Sequence, residues 1–137
     1  KTAFALLSIA RELYAFSKNI KIEIVGSGNC EEKLWQKANE INRELKEEVI
    51  VLHGKRTDVD RFLSSGGGIF VGVSRASLEA MSCSYPVILS GDEGYGGIFD
   101  AENPKKAMLS NFCCRGEGEL SNNSRSSCAK LRVIEKL

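Results

Sequence analysis

The chain has little histidine, little proline and no long apolar run. A single histidine, His53, excludes a metal site built from several imidazoles, and no nucleophilic triad is assembled around it. No stretch reaches the roughly 18–20 apolar residues that a membrane-spanning helix needs. The opening Lys1–Leu7 superficially resembles a secretory leader, but Arg11, Glu12 and Lys18 interrupt it and no small-residue cleavage site follows. Charge of one sign is also missing. Nineteen Lys and Arg against eighteen Asp and Glu leave a net charge of +1, which excludes nucleic-acid binding driven by bulk charge and leaves room only for a local basic patch. The five cysteines, Cys30, Cys83, Cys113, Cys114 and Cys128, are odd in number and show no C-x-x-C spacing. Neither a zinc ribbon nor a dithiol redox pair fits, and a bridge between adjacent Cys113 and Cys114 would be strained, so reduced thiols are expected.

What is present is the composition of one globular domain: 137 residues, 42% hydrophobic and 27% charged. Thirteen glycines against two prolines point to many tight loops, where backbone amides can approach a ligand. Ala3, Leu6, Leu7, Ala10, Leu13 and Tyr14 recur at helical spacing, which predicts a helix over 3–16. Lys21–Val25 reads as a strand ending in Gly26-Ser27-Gly28-Asn29. A second helix carries Leu34, Ala38, Ile41 and Leu45 on one face. Val49–Leu52 is wholly apolar, as expected of a strand buried on both faces in a parallel sheet. A helical turn over Val59–Leu63 precedes a strand at Ile69–Val73, and Ser74 is placed to cap a helix running to about Ser82. Pro86–Leu89 is a fourth strand, Gly91–Gly97 a glycine-rich loop, and Asn103-Pro104 the start of another helix. Residues 117–127 are polar and loop-like, and Cys128–Leu137 reads as a final short helix.

Strand and helix thus alternate four times, the pattern of an α/β domain with a mainly parallel sheet flanked by helices. Ligands in such folds sit outside the C-terminal ends of the strands. Gly26–Asn29, His53–Arg56, Ser74–Arg75 and Gly91–Gly97 stand at those ends and form a plausible phosphate-binding rim. Gly26 and Gly28 can offer amides to an anion at a helix start, although Glu31 stands where the dinucleotide fingerprint needs a third glycine; a plain tight turn is the competing reading. Amides at the start of the Ser74 helix, with Arg75, are suited to a diphosphate. Glu79, one turn deeper, can accept hydrogen bonds from both ribose hydroxyls, against the alternative of a solvated helix residue. Gly94, Tyr95, Gly96 and Gly97 can wrap a sugar or diphosphate, or simply form a turn.

Taken in order, Ile24-Val25-Gly26-Ser27-Gly28, Val51-Leu52-His53-Gly54, Asp58-Val59, Ile69–Val73 and Leu78-Glu79-Ala80-Met81 followed by Pro86-Val87-Ile88 resemble the C-terminal half of GT-B glycosyltransferases of the family 4, group 1 type. The resemblance covers about residues 1–100, and its most specific block is L-E-A-M with P-V-I. It implies a Rossmann-like three-layer domain, one half of a GT-B fold, that holds a nucleotide-sugar donor over residues 1–137. Lys1, Arg75, Ser74, Gly26 and Gly28 would meet the donor diphosphate and Glu79 the ribose. Gly54, Lys55 and Arg56 would lie beside the base, and Gly94, Tyr95, Gly96 and Gly97 beside the sugar. The implied donor is a nucleotide-diphosphate sugar, with a UDP-sugar favoured, and neither metal nor cofactor is expected because cationic side chains would stabilise the leaving diphosphate. Two departures stand out. Retaining members carry two glutamates separated by seven residues, and Val71 occupies the first of those positions; Ser84 stands where glycine is common. The family's donor domain also begins with a strand ahead of the lysine. The chain is therefore expected to be an excised half whose acceptor-binding N-terminal domain lies elsewhere, with a cytoplasmic location and peripheral membrane contact through the whole enzyme. A sugar-nucleotide epimerase of GT-B fold and a non-enzymatic nucleotide-binding α/β domain are the competing readings.

Overall fold

A computed structural model describes residues 2–99, 104–114 and 132–136. Helix α1 (Thr2–Phe16) forms on the expected stripe and buries Ala3, Leu6, Leu7 and Ala10. It leads into strand β1 (Lys21–Val25), which is buried after its first residue. Helix α2 (Glu31–Leu45) opens with Glu31 and Glu32 and carries Arg43 in its last turn, each placed to complement the helix dipole. It stops where Lys46 turns left-handed at φ 54°. Strand β2 (Ile50–Gly54) and the short helix α3 (Val59–Ser64) follow. After them come strand β3 (Ile69–Gly72), helix α4 (Ser74–Ser82), strand β4 (Val87–Gly91), strand β5 (Gly94–Ile98), helix α5 (Lys105–Leu109) and strand β6 (Arg132–Lys136).

The six strands form one sheet in the order β2-β1-β6-β3-β4-β5. Among the described residues, the pairings β1–β2, β1–β6, β3–β6 and β3–β4 are parallel and β4–β5 is antiparallel. Alternation along the strands divides the core between the two faces. Ile22, Ile24 and Val71 join Leu6, Leu7, Leu34 and Ile41 from α1 and α2. Val25, Phe70, Val87 and Leu89 join Phe62, Leu63 and Ala80 from α3 and α4. Helices therefore cover both faces of a largely parallel sheet, an α/β arrangement compatible with a Rossmann-like fold.

Four expectations are corrected. Val49–Leu52 is apolar, yet β2 is an edge strand, and past Ile50 it is only half-buried. Its outer flank is closed by a side chain instead of another strand. Asn42 on α2 accepts from the Val49 and Ile50 amides at 3.1 and 2.9 Å, and donates to the Ile50 carbonyl at 2.7 Å. Second, Gly91–Gly97 is no loop. Asp92 and Glu93 make a two-residue turn, and Gly94–Ile98 returns as β5 against β4. Glycine permits this twice over: a Cβ on Gly96 would lie 2.9 Å from the Cys114 sulfur, and Gly97 takes φ +78° where the register shifts. Third, within the segment read as a final helix, residues 132–136 form β6, while 115–131 and 137 lie outside the described residues. Branched Val133 and Ile134 suit a strand, and the main-chain groups of β1 and β3 that face each other both need a partner. Fourth, Ser74 is not the cap of α4. Val73 is, in extended conformation and without a side-chain cap, and Ser74 itself sits at φ 58°. Ser84, the position where glycine was noted as usual, also adopts a left-handed φ of 62°, the region in which a side chain is strained.

Candidate functional site

The C-terminal ends of the parallel strands converge at one rim, and most of the expected residues stand on it in two groups. The first lies where β1 and β2 end. The Gly26 amide donates to the Gly54 carbonyl at 2.7 Å, so the loops after β1 and β2 are tied together. Gly54 takes φ +62°, the left-handed region that glycine favours, and a Cβ there would meet only a Glu31 carboxylate oxygen at 3.9 Å. Gly28 has open space at its β-position, and its carbonyl accepts the Glu31 amide at 3.0 Å. The first turn of α2 therefore brings the Glu31 carboxylate to the loops that were expected to cradle phosphate. Its charge opposes an anion there and shifts the anionic end of any ligand elsewhere on the rim.

Lys55 is exposed beside Gly54, but Arg56 is already engaged. Its Nε and Nη2 donate to both oxygens of Asp58 at 3.0 and 2.7 Å, and the guanidinium lies 4.7 Å over the Phe62 ring. That hydrogen-bonded pairing raises the Arg56 pKa and lowers that of Asp58. His53 meets the Phe62 ring edge-on, with centroids 4.8 Å apart, and its Nε2 lies 3.0 Å from Glu23 Oε1. Burial, and then the Arg56 cation, hold the imidazole below its ordinary pKa. His53 and Glu23 therefore share a hydrogen bond in a half-buried setting that disfavours the charged imidazole. This cluster fastens the β2 loop to α3.

The chain was expected to lack an acidic D-x-D motif, and this is corrected by the sequence itself, in which Asp58-Val59-Asp60 has that spacing. Asp58 is held by Arg56, and Asp60 lies within α3. Among the described residues, no group of three His, Cys, Asp or Glu side chains converges to hold a metal ion.

The second group stands where β3 and β4 end. The two strands close tightly here, since a Cβ on Gly91 would lie 2.8 Å from a Val73 methyl. Helix α4 opens at this point. The Ser74 amide donates to the Phe112 carbonyl at 2.7 Å, and buried Ser77 returns a hydrogen bond to the Ser74 carbonyl at 2.6 Å. One of the amides expected for a diphosphate is thus occupied. The first turn of α4 carries no acidic residue, unlike that of α2, and its Arg75 side chain is 92% exposed. Arg75 Nε lies 3.8 Å from Glu79 Oε1, and the Glu79 side chain is 37% exposed one turn along. Neither is buried in the core. Gly94 and Tyr95 come to the same end of the sheet on β5, Tyr95 opposite Ser90, whereas Gly96 and Gly97 run away from it. Strand β6 stands between the two groups, with Lys136 in register with Val25. Lys1 lies outside the described residues.

The arrangement has one cationic helix start and one carboxylate-bearing corner on a single rim, which suits a ligand with an anionic end and a hydroxyl-rich or neutral end. Cys30, Cys83 and Cys113 carry unbridged thiols, and Cys128 lies outside the described residues. Among the described residues, no helix is long and apolar enough to cross a membrane. Comparison with protein-family models, with curated proteins and with solved structures finds no match, so the functional reading rests on the residues of the chain itself.

Proposed function

We propose that this chain is the donor-binding domain of a glycosyltransferase, a Rossmann-like three-layer half of a GT-B fold, which holds a nucleotide-diphosphate sugar for transfer to a glycan or lipid-linked acceptor. The observation that carries the reading is the start of α4 at the strand-end rim, where Arg75 and Glu79 lie on one face, four residues apart. Arg75 and the helix-start amides would hold the diphosphate, joined by Lys1, and Glu79 would leave Arg75 to accept the two ribose hydroxyls. Gly54 and Lys55 would flank the base. In the transfer, the acceptor hydroxyl oxygen bonds to the anomeric carbon while the bond from that carbon to the diphosphate oxygen breaks. The diphosphate departs with the electron pair, stabilised by the cationic groups, and the acceptor proton passes to a base supplied by an acceptor-binding domain. A cytoplasmic setting, where nucleotide sugars are made, belongs to the same proposal.

Calorimetric titration of the chain and of Glu79→Ala with UDP-, GDP- and ADP-sugars tests it. One class of donor should bind, and Glu79→Ala should bind it about tenfold or more weakly, since hydrogen bonds to a charged acceptor contribute about 1.5–3 kcal/mol each. Equal binding by both proteins, or binding by neither, overturns the assignment. Preference for the free nucleoside diphosphate over every sugar donor would instead favour a non-enzymatic nucleotide-binding domain.

A further inference from the structure

The side of α2 that overlooks the outer edge of β2 carries chemistry that the donor rim does not use. Trp35, the only tryptophan in the chain, is 59% exposed there, although indoles usually bury most of their surface. The buried line of α2 is Leu34, Ala38 and Ile41. At 3.6 residues per turn, Trp35 stands about 90° around the helix from that line. This is the side on which Glu31 approaches Gly54 and Asn42 holds Ile50. Glu31 precedes Trp35 by one turn, four residues earlier on this side of the helix. Half-buried Asn39 follows four residues on. Carboxylate, flat apolar plane and amide thus succeed one another beside the strand edge.

The edge itself narrows what can dock. The Ile22 amide donates to the Val49 carbonyl, so the parallel ladder turns Val51 and His53 inward and Ile50 and Leu52 outward. Asn42 occupies both main-chain groups of Ile50. Leu52 is the outward position that it does not reach, and one residue is too short for an added peptide strand. An uncharged polyol ring fits better. Its C–H face can lie on the indole while its hydroxyls donate to Glu31 and exchange hydrogen bonds with Asn39. We propose that Glu31, Trp35 and Asn39 form a saccharide subsite on α2, which starts at the Glu31 corner of the rim, runs away from it along the helix, and takes one neutral hexose unit of an oligosaccharide. The class of ligand rests on the sugar-transfer reading above.

Because Trp35 is the only tryptophan, its fluorescence reports on this site alone. Cellotetraose, chitotetraose and mannotetraose are titrated into the chain while emission is followed, with calorimetry on Trp35→Ala and Glu31→Gln. At least one tetrasaccharide should quench or shift the emission, and Trp35→Ala should bind it about tenfold more weakly. Both substituted side chains are exposed, so unchanged thermal unfolding confirms that each variant is folded. No emission change with any of the three, or wild-type binding by Trp35→Ala, overturns the subsite. Quenching by UDP alone would show the indole stacking on a base, which overturns it as well. Parallel titrations with UDP-glucose separate the two readings: a tetrasaccharide response without nucleotide-sugar binding retains the subsite and removes the donor assignment, and the opposite pattern removes the subsite only.

Discussion

Removing the Asn42 side chain tests whether a single amide closes the open edge of the sheet. Three hydrogen bonds are lost in Asn42→Ala, two from the Val49 and Ile50 amides and one to the Ile50 carbonyl, all of them half-buried. At about 1 kcal/mol net each they sum to about 3 kcal/mol. Alanine returns part of this, about 0.6 kcal/mol, because it is the better helix former. A net loss of about 2 kcal/mol is expected. With an unfolding entropy of about 2.1 cal/mol/K per residue over 137 residues, that lowers Tm by about 7 °C. Asn42→Asp keeps the two acceptor bonds but places a carboxylate against the Ile50 carbonyl, so it should cost less than alanine and more than nothing. Urea unfolding with an unchanged m-value measures the loss, and hydrogen exchange at the Ile50 amide locates it. A change below about 0.5 kcal/mol, the scatter of ordinary surface substitutions, with Ile50 protection unaltered, would refute the idea that Asn42 stands in for a missing strand.

Gly96 and Ser84 test the backbone of β5 and of the turn between α4 and β4. Gly96→Ala forces a methyl to within 2.9 Å of the Cys114 sulfur and 3.1 Å of Leu89 Cβ, and should cost about 1–3 kcal/mol in chemical denaturation. Ser84→Gly relieves a left-handed side chain at φ 62°; set against the greater freedom of glycine when unfolded, it should stabilise by about 0.5–1 kcal/mol. His53 gives the pH dependence. Its folded pKa is lowered from 6.5, by burial first and Arg56 second. The unfolded chain therefore binds the proton more readily, and the contribution of this group is complete above about pH 6.5 and lost as pH falls toward the folded value. Stability should decline between about pH 7 and pH 5 more steeply than in His53→Gln. An NMR titration midpoint above 6.5 would mean that the Glu23 carboxylate dominates instead.

Much of this fold is legible along the chain. The stripes of α1 and α2 repeat at helical spacing for four turns, long enough for periodicity to override any local ambiguity. Strand β1 announces itself by branched residues between turn signals, and β3 and β4 by apolar runs between glycine and serine clusters. The rim followed from strand–helix alternation, since the connections leave Gly26, Gly54 and Ser74 at the same end of the sheet. Other features depended on contacts distant in sequence. Gly91–Gly97 has the composition of a loop, and only the approach of Leu89 and Cys114 shows why glycine is needed in a strand. The helix over Glu31–Leu45 was expected, but nothing in its spacing told that Asn42 would reach the main chain of Ile50. Likewise Arg56 reads as a loop cation, yet Asp58, two residues on, and the ring of Phe62 already engage it.

The sequence by itself determined the element types and their order through residue 89, and with them the alternation of an α/β domain, because these depend on short-range periodicity and backbone preference. Tertiary structure alone decided which strand lies at an edge, that β5 exists, and that residues 132–136 join β1 to β3. Each of those depends on main-chain donors and acceptors finding partners far along the chain, a demand that no local pattern records. Near-neutral net charge likewise hid the polarity of the rim: the sequence puts Glu31 at one helix start and Arg75 at the other, but their separation along a single rim exists only once the strands are side by side.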